Sequence, residues 1–369
     1  MTVSDAGRCN LRRQERFRAG LTLACRNGRG LLAVALARPH GEKNQDMMLR
    51  RNALALGAAG LLAVPARAQA FPQRPVRLVV AFPPGGPTDV VARILAERMA
   101  RDLGQPVVVE NRGGANGNIA AEAVAKSEAD GHTLLYNTSS IAISRALYRR
   151  LPYDVLRDLA PVALTAASPL ALVVNPAMPP RDAAGFIAWI KANPGKFSYS
   201  SGGIGNISHL VSFLMLRHIG GEAVHVPYRG TAAALMDTAA GNVQFTSDTV
   251  VTALPVIQDG RVRAIAVSSA ARTPLLPAVP SMSEAGLTPP GFDLGAWQGI
   301  MAPAQTPPAA IARLNQAVAA ALADAEVRAK LAAQGANPTG GSAADYARYL
   351  QSEVTLWTRV VAESGATAE

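Results

Sequence analysis

The stretch from Val76 to Val90 constrains the fold more than any other. It reads Val-Arg-Leu-Val-Val-Ala, then Phe-Pro-Pro-Gly-Gly-Pro-Thr-Asp-Val. Leu78 to Ala81 is a short apolar run rich in β-branched residues, which suits a buried strand of a parallel sheet. Gly85 and Gly86 allow positive φ and leave backbone N–H groups unshielded. Pro87-Thr88-Asp89 is helix-entry chemistry, with Thr88 as a cap and Asp89 in the first turn. Strand, tight loop and helix start together make a ready anion site of free amides at a helix N-terminus. Pro-Pro-Gly-Gly is equally compatible with a plain turn.

The same alternation continues along the chain. A helix over Thr88–Leu103 breaks at Gly104-Gln105-Pro106, and strand Val107–Glu110 ends in the polar loop Asn111–Asn118. Helix Ile119–Lys126, strand Thr133–Tyr136, the polar end Asn137–Ser140 and helix Ile141–Leu147 complete a β-α-β-α-β unit. A second unit follows with the same logic. Its strands are expected at Ala171–Val174, Phe197–Ser200, Ala223–Val226, Val243–Thr246 and Ala264–Val267. Its helices are expected at Asp182–Ala192, Ser208–Ile219, Ala232–Ala240 and Val250–Gln258. Residues 272–295, rich in Pro, Gly and Ser, read as loop, and Trp297–Ala302 reads as a return strand. The tail is helical over Ile311–Ala323, Ala325–Ala333 and Ala344–Ala362, with a capping Thr306 before the first and a capping box at Ser342-x-x-Asp345. Tail helices that pack back on the first unit give two α/β lobes, the first built from two chain segments. The expected boundaries are 71–170 with 297–369 for lobe 1 and 171–296 for lobe 2.

Charge removes one class of partner. The chain of 369 residues has a net charge of +10, but residues 1–70 carry 12 of its 36 Lys/Arg and 4 of its 26 Asp/Glu. Residues 71–369 therefore hold 24 basic and 22 acidic groups, a net of +2. A nearly neutral body gives no footprint for nucleic acid. Both cysteines, Cys9 and Cys25, lie in the first 70 residues, so the body has neither disulfide nor thiolate chemistry. Within that first segment, Met47–Asn52 is a short basic run, Ala53–Val64 is apolar, and Ala68-Gln69-Ala70 is a small-x-small box. That order is a secretory signal over 47–70, with cleavage after Ala70 and an exported mature chain starting at Phe71. The apolar run is too short to span a bilayer, which needs about 20 residues. Arg50-Arg51 fits twin-arginine export loosely, and ordinary Sec export as well. Residues 1–46 precede a complete signal and read as an upstream extension.

Catalytic constellations are scarce. There is no HExxH, CxxC, Walker A loop or GxSxG. Gly113-Gly114-Ala115-Asn116-Gly117 follows a strand without being GxGxxG. His132 reads as a surface turn residue, His209 and His218 are poorly spaced for a metal, and His225 alternates as a strand residue. No cofactor and no metal are expected. The chemistry lies instead in the polar loops after the strands: Pro83–Thr88, Asn111–Asn118, Thr138–Ser140, Ser200–Ser208 and Tyr228–Thr231. A parallel sheet lines such loops along its carboxyl edge, where ligands bind. The candidate ligand-binding residues are Phe82, Pro83, Gly85, Gly86, Thr88, Thr138 and Ser139 from the first unit. From the second they are Ser200, Ser201, Gly203, Gly205, Asn206, Tyr228 and Asp248. Backbone amides with Ser, Thr and Asn side chains suit a carboxylate. Arg112 and Arg229 either pair with an anion or are solvated; Asp248 contacts the ligand or a loop amide; Tyr228 and Trp297 line the cleft or pack in the core.

Taken together, the motifs resemble the Bug family. They are Pro-Gly-Gly-x-x-Asp at 84–89, Glu-Asn-Arg-x-Gly-Ala-x-Gly at 110–117, Tyr-x-Ser-x-Gly-x-Gly at 199–205 with His209-Leu210, and Pro-Tyr-Arg-Gly at 227–230. These are the periplasmic solute-binding receptors of tripartite tricarboxylate transporters, and the resemblance covers residues 71–365. It implies a Venus-flytrap fold, type II-like, with a small organic acid held between lobes by backbone amides and bridging waters. It also implies integral membrane transporter subunits as partners; a monomer is expected. Asn206 departs from the Thr or Ser usual there, and Thr246-Ser247 from a more apolar approach to Asp248. Two other functions are compatible with the residues: a sensor for a membrane signalling partner, and an exported α/β hydrolase using Ser201 with His209.

Overall fold

The computed structural model describes residues 71–368. The expected signal over 47–70, its cleavage after Ala70, the extension over 1–46 and both cysteines lie outside the described residues.

The elements in order are β1 (Val76–Val80), α1 (Pro87–Leu103), β2 (Val107–Asn111), a 3-10 turn (Ala115–Gly117), α2 (Asn118–Ala125), β3 (Thr133–Thr138), α3 (Ser140–Leu147) and β4 (Leu159–Val174). Then come α4 (Ala183–Ala192), β5 (Ser198–Ser201), α5 (Ile207–Ile219), β6 (Val224–Pro227), α6 (Thr231–Ala240), β7 (Phe245–Thr249), α7 (Val250–Gln258) and β8 (Arg263–Val267). The chain returns through β9 (Gly295–Pro303), α8 (Pro308–Ala323), α9 (Ala325–Ala333), β10 (Asn337–Pro338) and α10 (Ala343–Ser364).

The main ladder runs β2-β1-β3-β9-β4-β7-β5-β6, with β8 and β10 also on β4. β1 is parallel to both neighbours, and β5 is parallel to β6 and β7. β1 is apolar because both its faces are covered: Val76, Leu78, Val79 and Val80 are buried. α1 lays Val91, Leu95, Met99 and Leu103 against that sheet at helical spacing.

β4 joins the two halves. Leu159–Pro169 pairs with β9, whereas Leu170–Val174 pairs with β7 and β8. This is the two-lobed fold expected from the sequence, with the first lobe made of two segments. The sequence reading of β4 as Ala171–Val174 missed its first half, because Pro161 and Pro169 read as breakers. Pro161 sits beside a register shift in the β9 ladder, where its missing N–H is tolerated. Ser268 holds the crossing: its amide donates to Leu170 O (2.8 Å), its hydroxyl accepts from Leu170 N (2.9 Å) and donates to Leu294 O.

The tail packs mainly on the first half. α8 and α9 cover α1, while α10 lies on α3 and β4 and reaches α5. The capping box forms, with Asp345 N donating to Ser342 Oγ (3.1 Å) and Ser342 N to Asp345 Oδ2 (2.9 Å). Two expected caps do not form. Gly86 rather than Thr88 precedes α1, and Pro307 rather than Thr306 precedes α8, since Pro at the first helical position already fixes φ.

Candidate functional site

The carboxyl ends of β3 and β7, the loops after β1, β2 and β5 and the start of the helix after β6 converge on one cavity of about 280 Å³. It is lined from both lobes. From the first come Phe82, Thr88, Asn116, Thr138 and Ser139; from the second, Gly205, Asn206, Thr231 and Asp248. Ser168 and Leu170 of the crossing strand and Gln298 of β9 close the side between them.

Five helices present their first turns here. Pro87 and Thr88 belong to α1, Ser140 to α3, Ile207 and Ser208 to α5, Thr231 and Ala232 to α6, and Val251 and Thr252 to α7. First-turn amides have no acceptor inside their own helix, and each N-terminus carries about half a positive charge. The lining contains no Lys, Arg or His, and its one charged residue is Asp248. The arrangement therefore stabilises an anion by dipoles and amides rather than by a cation. Among the described residues no group of His, Cys, Asp and Glu is placed to hold a metal ion.

Asp248 is 1% exposed at the end of β7. Thr249 N donates to its Oδ1 at 2.7 Å, and Oδ2 has no hydrogen-bond partner. Burial pushes its carboxyl up to about 7, against the opposing pull of the Thr249 amide and the Thr231 hydroxyl. Gln298 is also buried and lines the cavity; Tyr136 OH donates to its Oε1 at 2.8 Å. Nothing in the sequence marked Gln298 or Ser168 except polarity inside otherwise apolar strands. Thr252 was masked as an ordinary first-turn helix residue.

The remaining sequence-predicted residues stand elsewhere. Pro83, Gly85, Gly86, Ser200, Ser201, Gly203 and Tyr228 do not line the cavity. The loop after β1 has its own anion: Asp89 Oδ2 accepts from Gly85 N (2.9 Å) and Arg93 Nε (2.9 Å), and Asn111 Nδ2 donates to Asp89 Oδ1 (2.8 Å). Burial opposes the Asp89 charge, but Arg93, Gly85 and Asn111 outweigh it and hold the carboxyl below its ordinary range. The Gly85 amide expected for a ligand is thus taken, and Asp89 locks the loop so that Phe82 and Thr88 face the cavity. Gly86 has ordinary φ, and a Cβ there would meet only Pro83 O, at 3.6 Å.

In the second lobe, Ser200 Oγ bonds Ala234 O (3.0 Å) and Thr238 Oγ1 (2.9 Å) in the core. Tyr228 OH donates to Asp237. Ser201 Oγ meets His225 Nε2 at 2.6 Å, not His209. His225 stacks on His209 with ring centroids 3.8 Å apart, and His209 Nδ1 accepts from Gly205 N at 3.1 Å. Burial, with His225 nearby, drives His209 down to about 3, and burial drives His225 down to about 4. Both are neutral props beneath the Gly203–Gly205 loop. His132 is buried rather than on the surface, because Phe71 packs edge-on against it (4.9 Å). Arg112 pairs with Glu110, and Trp297 lies in the core.

Two lobes about a crossing strand, with a dipole-lined cavity between them, define a solute-binding protein. The sequence profile of the tripartite tricarboxylate transporter family receptors matches residues 91–366, and this chain belongs to that family. It is 38% identical to Protein BugT of Bordetella pertussis over 325 residues, covering 88% of this chain and 99% of BugT. Among solved structures it resembles R. palustris Rpa4515 with adipate (37% identity, 81% of this chain, 99% of that one, TM-score 0.72). It also resembles MatC from Rhodopseudomonas palustris with bound malate (37%, 79% and 100%, TM-score 0.68). The family is one of substrate-binding receptors, not enzymes, which sets aside the hydrolase alternative. Among the described residues no helix is long and apolar enough to cross a membrane.

Proposed function

We propose that this chain captures a small carboxylated metabolite between its lobes in the periplasm and delivers it to the integral subunits of a tripartite tricarboxylate-type transporter. The observation that carries this reading is a cavity ringed by five helix N-termini with no cationic side chain in its lining. Each ligand–dipole contact contributes ~0.3–2 kcal/mol, and each hydrogen bond to a charged group ~1.5–3 kcal/mol. Only the closed state makes contacts from both lobes at once, so the ligand shifts the population toward closure. The adipate and malate complexes of the relatives support the ligand class. Export with cleavage after Ala70, a monomeric mature chain and lobe boundaries at 170/171 and 296/297 belong to the same proposal. The exchange of partners along β4 at Pro169–Leu170 supports the first boundary.

A thermal-shift screen of residues 71–369 against succinate, malate, adipate, citrate, glutamate and benzoate tests it. At about 100-fold excess over Kd a ligand adds ~2.7 kcal/mol. The expected result is a clear rise in Tm with one or more of these acids. No shift with any of them would overturn the reading.

A further inference from the structure

The cavity poses an electrostatic problem that helix dipoles alone do not solve. Its one ionisable side chain, Asp248, is an acid, and an ionised acid would repel the ligand. Its Oδ2 is buried without a partner, although buried polar atoms are almost always paired. No charged group compensates it. Within β7 its Oδ1 accepts from the next amide, Thr249 N, at the entry to α7, and Thr231 at the start of α6 opposes the effect of burial. β4, which pairs beside it, has no titratable residue. On the other packed elements, α5 brings His209 and β6 brings His225, both held neutral by burial; β5 brings Tyr199, likewise buried. Asp237 of α6 is engaged by Tyr228 and Asn242.

We infer that Asp248 meets a carboxylate of the ligand as a neutral acid, its Oδ2–H donating to the ligand oxygen, so that an organic diacid binds with uptake of one proton. Two carboxylates that share a site cannot both stay ionised, and one proton held between them turns repulsion into a strong hydrogen bond. The proton comes from solvent and no covalent bond changes. The group already sits poised near neutrality, so binding completes a protonation that burial has begun. This inference rests on the carboxylate-binding reading above and names how the site accepts its second charge.

The test is calorimetric titration of the mature chain with succinate, malate and adipate at pH 6 and pH 8. For a group titrating about 7, Kd is expected to be ~10-fold weaker at pH 8 than at pH 6. Titrations at pH 8 in two buffers of different ionisation enthalpy are expected to report close to one proton taken up per ligand. In Asp248→Asn, whose amide cannot lose its donor, the pH slope is expected to vanish. A flat wild-type profile overturns the inference and leaves carboxylate binding intact. An affinity that rises with pH also overturns it, because an ionised Asp248 then accepts from a ligand hydroxyl or ammonium. Absence of binding by all three acids at both pH values overturns the inference, and the reading on which it rests falls with it only if citrate, glutamate and benzoate also fail to bind.

Discussion

Replacing Gly205 by valine is expected to weaken ligand binding by about 10- to 100-fold while the protein stays folded. Gly205 has φ +71, and a Cβ built on it would lie 2.4 Å from Leu147 Cδ2. Leu147 closes α3 in the first lobe, whereas Gly205 lies in the second-lobe loop before α5. The two lobes touch here, so a valine at Gly205 must displace the Leu147 side chain and also strains a backbone held at positive φ. Overpacking of this kind costs ~1–3 kcal/mol, and each 1.4 kcal/mol is about tenfold in Kd. The arrangement in which Leu147 lies against the loop carries that cost. The substitution also displaces Asn206, which caps α5 by accepting from Ser208 N (3.0 Å) and lines the cavity. Gly86→Ala is the matched control: its Cβ would make only an ordinary 3.6 Å contact with Pro83 O, and Gly86 does not line the cavity. Calorimetry on both variants decides the matter. Equal affinities would show that the lobes do not meet at Gly205.

Glu353→Ala is expected to lower stability by ~3–5 kcal/mol, since it strands two indole donors in the core and leaves a cavity. Trp297 Nε1 donates to Glu353 Oε2 at 2.6 Å and Trp357 Nε1 donates to the same oxygen at 2.9 Å. Both indoles are fully buried. Burial pushes the Glu353 carboxyl up, and the two N–H groups pull it back toward the charged form. Glu353→Gln retains one acceptor oxygen for the indoles and should lose less than half as much. Urea unfolding separates the two variants; equal losses would contradict the assignment. The network also reaches the site, because Trp297 O accepts from Ser139 N (3.0 Å) and Gln298 is its neighbour on β9. Loosening Trp297 is therefore expected to blur the cavity wall as well as the core.

The alternation of strands and helices was legible because buried parallel strands are apolar throughout and their helices keep one apolar face. β1, α1 and α7 illustrate this, and α7 and α9 fall at the residues expected. The crossing strand was harder to read. Proline looks like punctuation in a sequence, and only the register shift on β9 shows how Pro161 fits a strand. The loops around the cavity were legible as a set, since polar residues after parallel strands have one place to go. Which residue of each loop faces inward was not. Ser200, Ser201 and Tyr228 have the right chemistry, but local partners bind them first: Thr238, His225 and Asp237. Likewise Asp89 is three residues from Gly86 in sequence, yet only the fold shows its carboxylate taking the Gly85 amide. Gln298 was out of reach, because a polar residue in a strand has no periodicity that distinguishes cavity from surface.

The central claim is that a charged carboxylate is held by amides and helix dipoles without any cationic partner. Calorimetry of the mature chain with the best-binding diacid and with its uncharged diamide measures this directly. The shapes are nearly the same, so the difference reports the charge. Losing two charge-assisted contacts, at ~1.5–3 kcal/mol each, predicts a diamide at least about 100-fold weaker than the diacid. A diamide that binds as tightly as the diacid would contradict the account.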